Sequence, residues 1–456
     1  MRYHHLASTL ATALVFEACS ATHLEKEEPG LRAYQAGAMA EARDTFRELA
    51  KETPDDRHLF QLEEATANLG LGDVEAATAS FSEAIARLDS LRGEDPLTDL
   101  TSLLLDDTVR NYAGSPYEQT MARIFWAFAY LLGAGPERME NVSAVCRDLD
   151  GKMESIEAYY NRAYPYDGDG NASQFSFQIP PLGKYLAALA AAHRGELDSA
   201  EIYMKQAQAG LPDSGFLREE IRRMRRARHA DDRVVLIVAL AGMAPRKVEV
   251  VSEDLTGALQ GMKALYYSLN PHDDADIFLN AVLTAPVVVT DIEPPEHRWH
   301  AGFIVTPQGG EPVLTERLAD IDAYARQEFD SLRSAMLTRA GLRRLLKEVG
   351  GQVGAKQAHL PVEVGSGIAS IFSATETADL RGWYTLPRDI QVAHLTLPSA
   401  VSSITLMPRR PGGAPMGPEV SLQVDLSNAD PALILVFHPD EGTRPIVLLD
   451  ASHRAK

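Results

Sequence analysis

The strongest constraint on this chain is a small-residue pattern that recurs in its first half: Gly, then Ala five positions on, then a large apolar residue four further. It runs Gly37, Ala42, Phe46, closed by Pro54. It returns as Gly72, Ala77, Phe81 with Ala84, and again as Gly195, Ala200, Met204 with Ala207 and Pro212. The first two glycines stand 35 residues apart, close to the period of roughly 34 residues found in stacked helical hairpins. Small residues let two antiparallel helices approach closely. The large apolar residue fills the groove between hairpins, and proline ends the second helix. The pattern therefore predicts an α-helical array over residues 31–230.

Residues 31–92 read as two helix pairs, punctuated by Pro54-Asp55-Asp56, Leu71-Gly72-Asp73 and Arg92-Gly93. A further helical run covers 97–133, where Ile124 to Leu132 is apolar nearly all round, as in a helix buried between neighbours. Residues 136–162 are amphipathic, Tyr164 to Gln178 reads as a loop, and 181–210 holds the third repeat. Arg222, Arg223, Arg225, Arg226 and Arg228 form a basic run, read as a solvated stripe near an acidic body. From residue 233 the texture changes. The β-branched run Val234 to Leu240 is of strand length, with Val248 to Val251 as its candidate partner. More strands are expected at 286–291, 301–306, 390–397, 401–407, 419–425 and 432–438, interrupted by one long helix over about 316–349. The fold class is thus α+β and multidomain: a helical array, then a mixed, mostly antiparallel β-rich domain over 231–456.

The 456 residues are 45% hydrophobic, enough for a sizeable core. A formal net charge of −20 disfavours nucleic acid as a partner, because duplex binding needs a basic footprint. Two cysteines, Cys19 and Cys146, exclude a disulfide framework. Arg2 precedes an apolar stretch from Leu6 to Phe16, of signal-peptide length and too short to span a bilayer. Val15-Phe16-Glu17-Ala18-Cys19-Ser20 follows and resembles a bacterial lipobox, departing from it at Glu17. Residues 1–19 are accordingly expected to be a signal peptide ending at a lipidated Cys19, and the polar residues 20–30 a tether. The other reading of this stretch is a frayed N-terminus with a buried Cys. No later stretch reaches 18 consecutive apolar residues, so the expected membrane contact is the lipid anchor alone.

Most candidate catalytic and metal motifs fail on inspection. Gly365-Ser366-Gly367 lacks the spacing of a nucleophile elbow. Gly350 to Lys356 has the wrong Gly/Lys spacing for a phosphate loop. Asp167, Asp169 and Asn171 are spaced as in a calcium loop, but Ala172 and Gln178 replace the Gly and Glu it requires. His297 and His300, with Asp291, Glu293 and Glu296 nearby, read as a surface turn before they read as metal ligands. Cys146 lies on an apolar helix face and reads as core. No cofactor is expected.

The most distinctive stretch is Ala378-Asp379-Leu380-Arg381-Gly382-Trp383-Tyr384-Thr385-Leu386-Pro387. If extended, Asp379 and Arg381 share a face and pair beside the Trp383 ring. Two uses are open: a structural lock onto the body, or a partner-binding patch of Asp379, Arg381 and Trp383. Taken with Gly242-Met243-Ala244-Pro245-Arg246-Lys247-Val248-Glu249, with Asn111-Tyr112-Ala113-Gly114-Ser115-Pro116-Tyr117-Glu118, and with the Arg/Ala-rich helix from Arg333 to Lys347, it resembles a family of bacterial lipoproteins that contain tetratricopeptide (TPR) repeats and have no assigned function. The resemblance covers nearly the whole chain. It implies a cell-envelope location, with Ser20 suiting an outer-membrane lipoprotein facing the periplasm, and it transfers no catalytic residue. The expectation is a non-enzymatic scaffold that binds other envelope proteins or an extended peptide in its helical groove. The alternative is an enzyme or carbohydrate-modifying factor with its site in the C-terminal half, using His297 and His300.

Overall fold

The computed structural model describes residues 19–92, 111–135, 137–147, 149–225, 233–252, 255–269, 287–293, 302–357, 378–397, 401–427 and 432–450. The chain opens with α1 (Cys19–Gln35), α2 (Met39–Glu52), a 3-10 turn (Pro54–Asp56), α3 (Arg57–Leu71) and α4 (Val74–Arg92). Then come α5 (Pro116–Leu132), α6 (Arg138–Arg147), α7 (Leu149–Ala163), α8 (Pro181–His193), α9 (Leu197–Gly210) and α10 (Gly215–Arg225). The recurrent glycines sit at the hairpin turns α1–α2, α3–α4 and α8–α9. All three are left-handed, with φ of 76°, 73° and 78° for Gly37, Gly72 and Gly195, a conformation that costs other residues a Cβ clash. Ala42, Ala77, Ala200, Phe46, Phe81 and Met204 are all fully buried. Each hairpin thus carries its left-handed glycine at the turn and its alanine and large apolar residue in the core.

The second half holds β1 (Arg233–Ala241), β2 (Arg246–Ser252), α11 (Leu259–Leu269), β3 (Val287–Glu293), β4 (Gly302–Pro307), β5 (Val313–Leu314), β6 (Glu316–Asp320) and α12 (Ile321–Gln357). It ends with β7 (Asp389–Leu397), β8 (Val401–Arg409), β9 (Val420–Asp425), β10 (Ala432–His438) and β11 (Ile446–Leu449). A five-stranded sheet has the order β11-β10-β1-β7-β6, and a four-stranded sheet the order β5-β4-β8-β9. The β1–β10 pair is parallel and the other pairs are antiparallel. Alternation along the strands splits the five-stranded sheet between two cores. Leu236, Val238, Leu240, Leu433, Leu435 and Phe437 pack with the helices. Val235, Ile237, Ala239, Ile434 and Val436 pack on Phe303, Val305, Ile404 and Leu406 of the four-stranded sheet. Burial on both faces is why β1 and β10 read as unbroken apolar runs.

Four expectations need correction. β2 pairs with β3, not with β1. Both edges of β1 are taken by β10 and β7, and the left-handed Gly242 and the Ala244 N–H bonded to the Leu386 carbonyl (2.7 Å) turn the chain off the sheet. The long helix starts at Ile321, not 316, because residues 316–320 form β6; the Asp320 carboxylate then accepts the Ala323 N–H (3.0 Å) as an N-cap. Residues 20–30, read as a tether, belong to α1. Their buried positions, His23, Glu27 and Gly30, lead into buried Leu31 with helical spacing, but two polar side chains and a glycine disguise it. Gly30 is needed there, since a Cβ would lie 2.6 Å from the Phe46 ring. Finally, residues 378–388 form no strand.

Candidate functional site

The three stretches that make this sequence distinctive, around 111–118, 242–249 and 378–387, meet in space. Residues 380–385 enter the helical half as a clasp. Trp383 is 1% exposed. Its ring meets Phe81 and Phe125 edge-on at 6.0 and 5.2 Å between centroids. Its Nε1 lies 3.1 Å from both the Thr66 and the Thr385 hydroxyl oxygen. The backbone is gripped by two acids from the helices. Glu118 accepts the Trp383 N–H (3.2 Å), and Glu63 accepts those of Tyr384 (2.6 Å) and Thr385 (3.0 Å). Arg381 binds Asp379 through two bonds of 2.8 Å and reaches Asp56, between α2 and α3, at 2.8 Å. Burial opposes the Arg381 charge, but Asp379 and Asp56 outweigh it and raise its pKa.

Behind the clasp lies Lys247 of β2, 4% exposed. Its Nζ donates to the Tyr112 hydroxyl and to the Arg381 carbonyl, both at 2.6 Å, and stands 3.6 Å from Glu118 Oε1. The Tyr112 hydroxyl donates in turn to Glu118, whose carboxylate also accepts the Ser115 N–H (2.8 Å), half of a capping box at the start of α5. Burial, and then the Glu118 charge, push the Tyr112 phenol well above its ordinary range. Burial likewise pushes Glu63 up to about 7, against the pull of the Thr385 hydroxyl and the N–H groups it accepts. Glu27, fully buried beside Glu63, is raised well above the carboxylate range by burial and by the Glu63 charge. Two carboxyls in one dry site do not both ionise, so this pair retains a proton.

On the outer side of this network a cleft of about 140 Å³ opens. Its walls are the loop before α5, the end of α7, one face of α12 and the β2–β3 ribbon. Tyr112, Tyr160, Tyr164 and Phe329 line it, with Lys247 and Glu328. Burial holds the Glu328 carboxyl well above its usual range, although it accepts the Tyr117 N–H at 3.0 Å. A second, larger groove of about 760 Å³ runs over the helical array, between α4, the end of α5 and α6.

Asp379, Arg381 and Trp383 are thus brought together, with Arg381 and Trp383 buried and Asp379 partly exposed at the cleft. The Trp383 ring is enclosed, which leaves no face of it to a partner and favours the structural lock over the partner-binding patch. Cys19 is the first residue of α1, and the segment before it, expected to be a signal peptide, lies outside the described residues, as do His297, His300, Gly365-Ser366-Gly367, Arg226 and Arg228. Gly350 to Lys356 continue α12. Asp167 accepts the Asn171 N–H (2.8 Å), the local turn its spacing encodes. Cys146 is buried, its thiol pushed up to about 12 by burial. Arg222 pairs with Glu219, Arg223 with Glu220 and Arg225 with Glu201. Sequence reasoning missed Glu27, Glu63 and Glu328, because an acid on a helix reads as solvated. The signal for Tyr112, Glu118 and Lys247 was present, in the same stretches that carried the resemblance. Neither a protein-family model nor a curated protein matches the chain.

Proposed function

We propose that this chain is a non-enzymatic, envelope-anchored interaction protein, lipidated at Cys19, whose TPR-like helical hairpins present a groove to an extended segment of another envelope protein. The observation that carries this reading is the groove of about 760 Å³. Its lining is built from glycine and short side chains, among them Gly72, Thr78, Ala79, Ser82, Gly133 and Ala134, which leave room for a second main chain. Tyr130 and Val74 supply apolar contact. Glu75 and Glu137 are exposed on its rim, whereas Arg138 is buried, 3.6 Å from Asp450. The charge left to meet a partner is negative, so the segment that fits is basic.

The test is site-specific photo-crosslinking in intact envelopes from Ser82, in the groove, and from Ile202, exposed on α9. Adducts to a discrete protein from Ser82 but not from Ile202, abolished by Glu75→Lys with Glu137→Lys, are expected. Equal labelling from both positions overturns the groove. Cys19→Ser is expected to move the protein out of the membrane fraction; an unchanged distribution removes the anchor.

A further inference from the structure

The geometry points to the tyrosine-lined cleft beside Lys247 as a binding site for one uncharged saccharide ring. Size comes first. The cleft measures about 140 Å³, and a cavity of roughly 150 Å³ holds a single benzene-sized ring. It is open on one side, so further rings of a longer glycan can project outward. Shape comes next. Tyr160 and Tyr164, one turn apart on and just beyond α7, hold their rings within 20° of parallel. With Phe329 they put aromatic carbon along the cleft, whose negative quadrupole attracts the C–H bonds on the flat side of a pyranose; the Tyr112 ring already lies under the Lys247 ammonium and the Arg381 guanidinium.

Charge excludes the competing ligands. The Lys247 ammonium is already bonded to Tyr112 and to the Arg381 carbonyl, with Glu118 beside it. The Asp379 carboxylate is bound on both oxygens by Arg381. Arg339, whose guanidinium lies 5.7 Å from the Tyr164 ring centroid, is also engaged within the protein. An anion such as phosphate would therefore compete with internal pairs instead of meeting a waiting cation. Burial disfavours the charged form of Glu328, and its carboxyl already accepts the Tyr117 N–H, so it is a poor ligand for a cation. What remains is aromatic carbon with polar groups at its edges, among them the Glu328 carboxyl and the Thr290 hydroxyl, which donates to the Asp379 carbonyl and keeps its lone pairs as acceptors. A hydroxylated ring satisfies both, whereas a purely apolar ring would desolvate the polar wall without replacing its hydrogen bonds.

The experiment is calorimetric titration of the whole protein with glucose, N-acetylglucosamine and their β-1,4-linked disaccharides, alongside inorganic phosphate and phenol. Saccharide binding is expected, weakened about tenfold or more by Tyr164→Leu and by Phe329→Leu, since each removes one aromatic face. Circular dichroism and melting of each variant distinguish a lost site from a lost fold, and crosslinking from Ser82 reports separately on the helical groove. The proposal is overturned if no saccharide binds, if only phosphate or only phenol binds, or if both ring deletions fold and bind saccharide normally.

Discussion

A single buried carboxylate, Glu63, shows how residue-scale chemistry holds this protein together. It accepts two backbone N–H groups of the clasp and lies beside Glu27, in a site dry enough to push it up to about 7. In the unfolded chain it would titrate near 4.3. The native state therefore keeps this proton between those values while the unfolded state releases it, and stability falls as pH rises through that window. The buried histidines His23 and His58, lowered by burial, act in the opposite sense on acidification. The Glu63 contribution is isolated by difference: Glu63→Gln has no such titration, so its stability relative to the parent is expected to improve from pH 4.5 to 7. Urea melts at several pH values measure this, and a pH-independent difference would show that Glu63 is an ordinary acid. Trp383 is the second residue-scale case. Its burial and its bonds to Thr66 and Thr385 predict that Trp383→Ala costs about 3–5 kcal/mol, read as a shifted denaturant midpoint; a loss under about 1 kcal/mol would contradict the clasp. The Asp379–Arg381 pair and the importance of Trp383 were legible, because neighbours in sequence meet within a few residues. Glu63 was not, because its partners lie more than 300 positions away and nothing on its own helix marks it as buried.

At the scale of elements, legibility followed the range of the forces. The hairpins were readable because a left-handed glycine, a buried alanine and a buried large apolar residue act within a dozen residues. Ala77 is fully buried, so Ala77→Leu is expected to overpack α4 and cost about 1–3 kcal/mol. The same change at Ala79, exposed on that helix, is expected to stay within about 0.5 kcal/mol. Thermal melts of the two variants compare them directly, and equal stability would remove the packing role assigned to the pattern. Strand positions were readable for the same local reason, but strand partners were not. Val248 to Val251 has the composition of a strand whichever neighbour it takes, and the pairing with β3 is decided by the turn at Gly242 and by β7 and β10 occupying both edges of β1. The α1 helix was missed because its inward positions carry His23 and Glu27, so apolar periodicity was the wrong signal for a helix with a polar buried face.

For the whole molecule, the change of texture near residue 231 marks a change of secondary structure and not a boundary between cores. Leu236, Val238, Leu433, Leu435 and Phe437 share one apolar cluster with Phe46, Phe81, Phe125 and Tyr185. The clasp strengthens that union, since Glu63 and Glu118 from the helices bind the backbone of residues 383–385. Without the sheet, the inner faces of α5 and α8 would stand in water, and the apolar area that stabilises them would be lost. Two consequences follow. The full chain is expected to unfold in one cooperative transition, with amides of α3 and α5 and of β1 and β10 sharing the same largest opening free energy in hydrogen exchange. A chain ending at residue 230 keeps every hairpin but loses the sheet and the clasp, so it is expected to keep helical far-ultraviolet dichroism while binding a hydrophobic dye and melting without a sharp midpoint. If that shortened chain instead melts cooperatively with native-like exchange protection, the helical array is an independent domain and the shared core is only a contact between two. The clasp variant Trp383→Ala separates these outcomes within the full-length protein. In one cooperative body it lowers the stability of α3 and of β1 together, whereas between two independent domains it leaves their exchange protection intact and only frees them from each other.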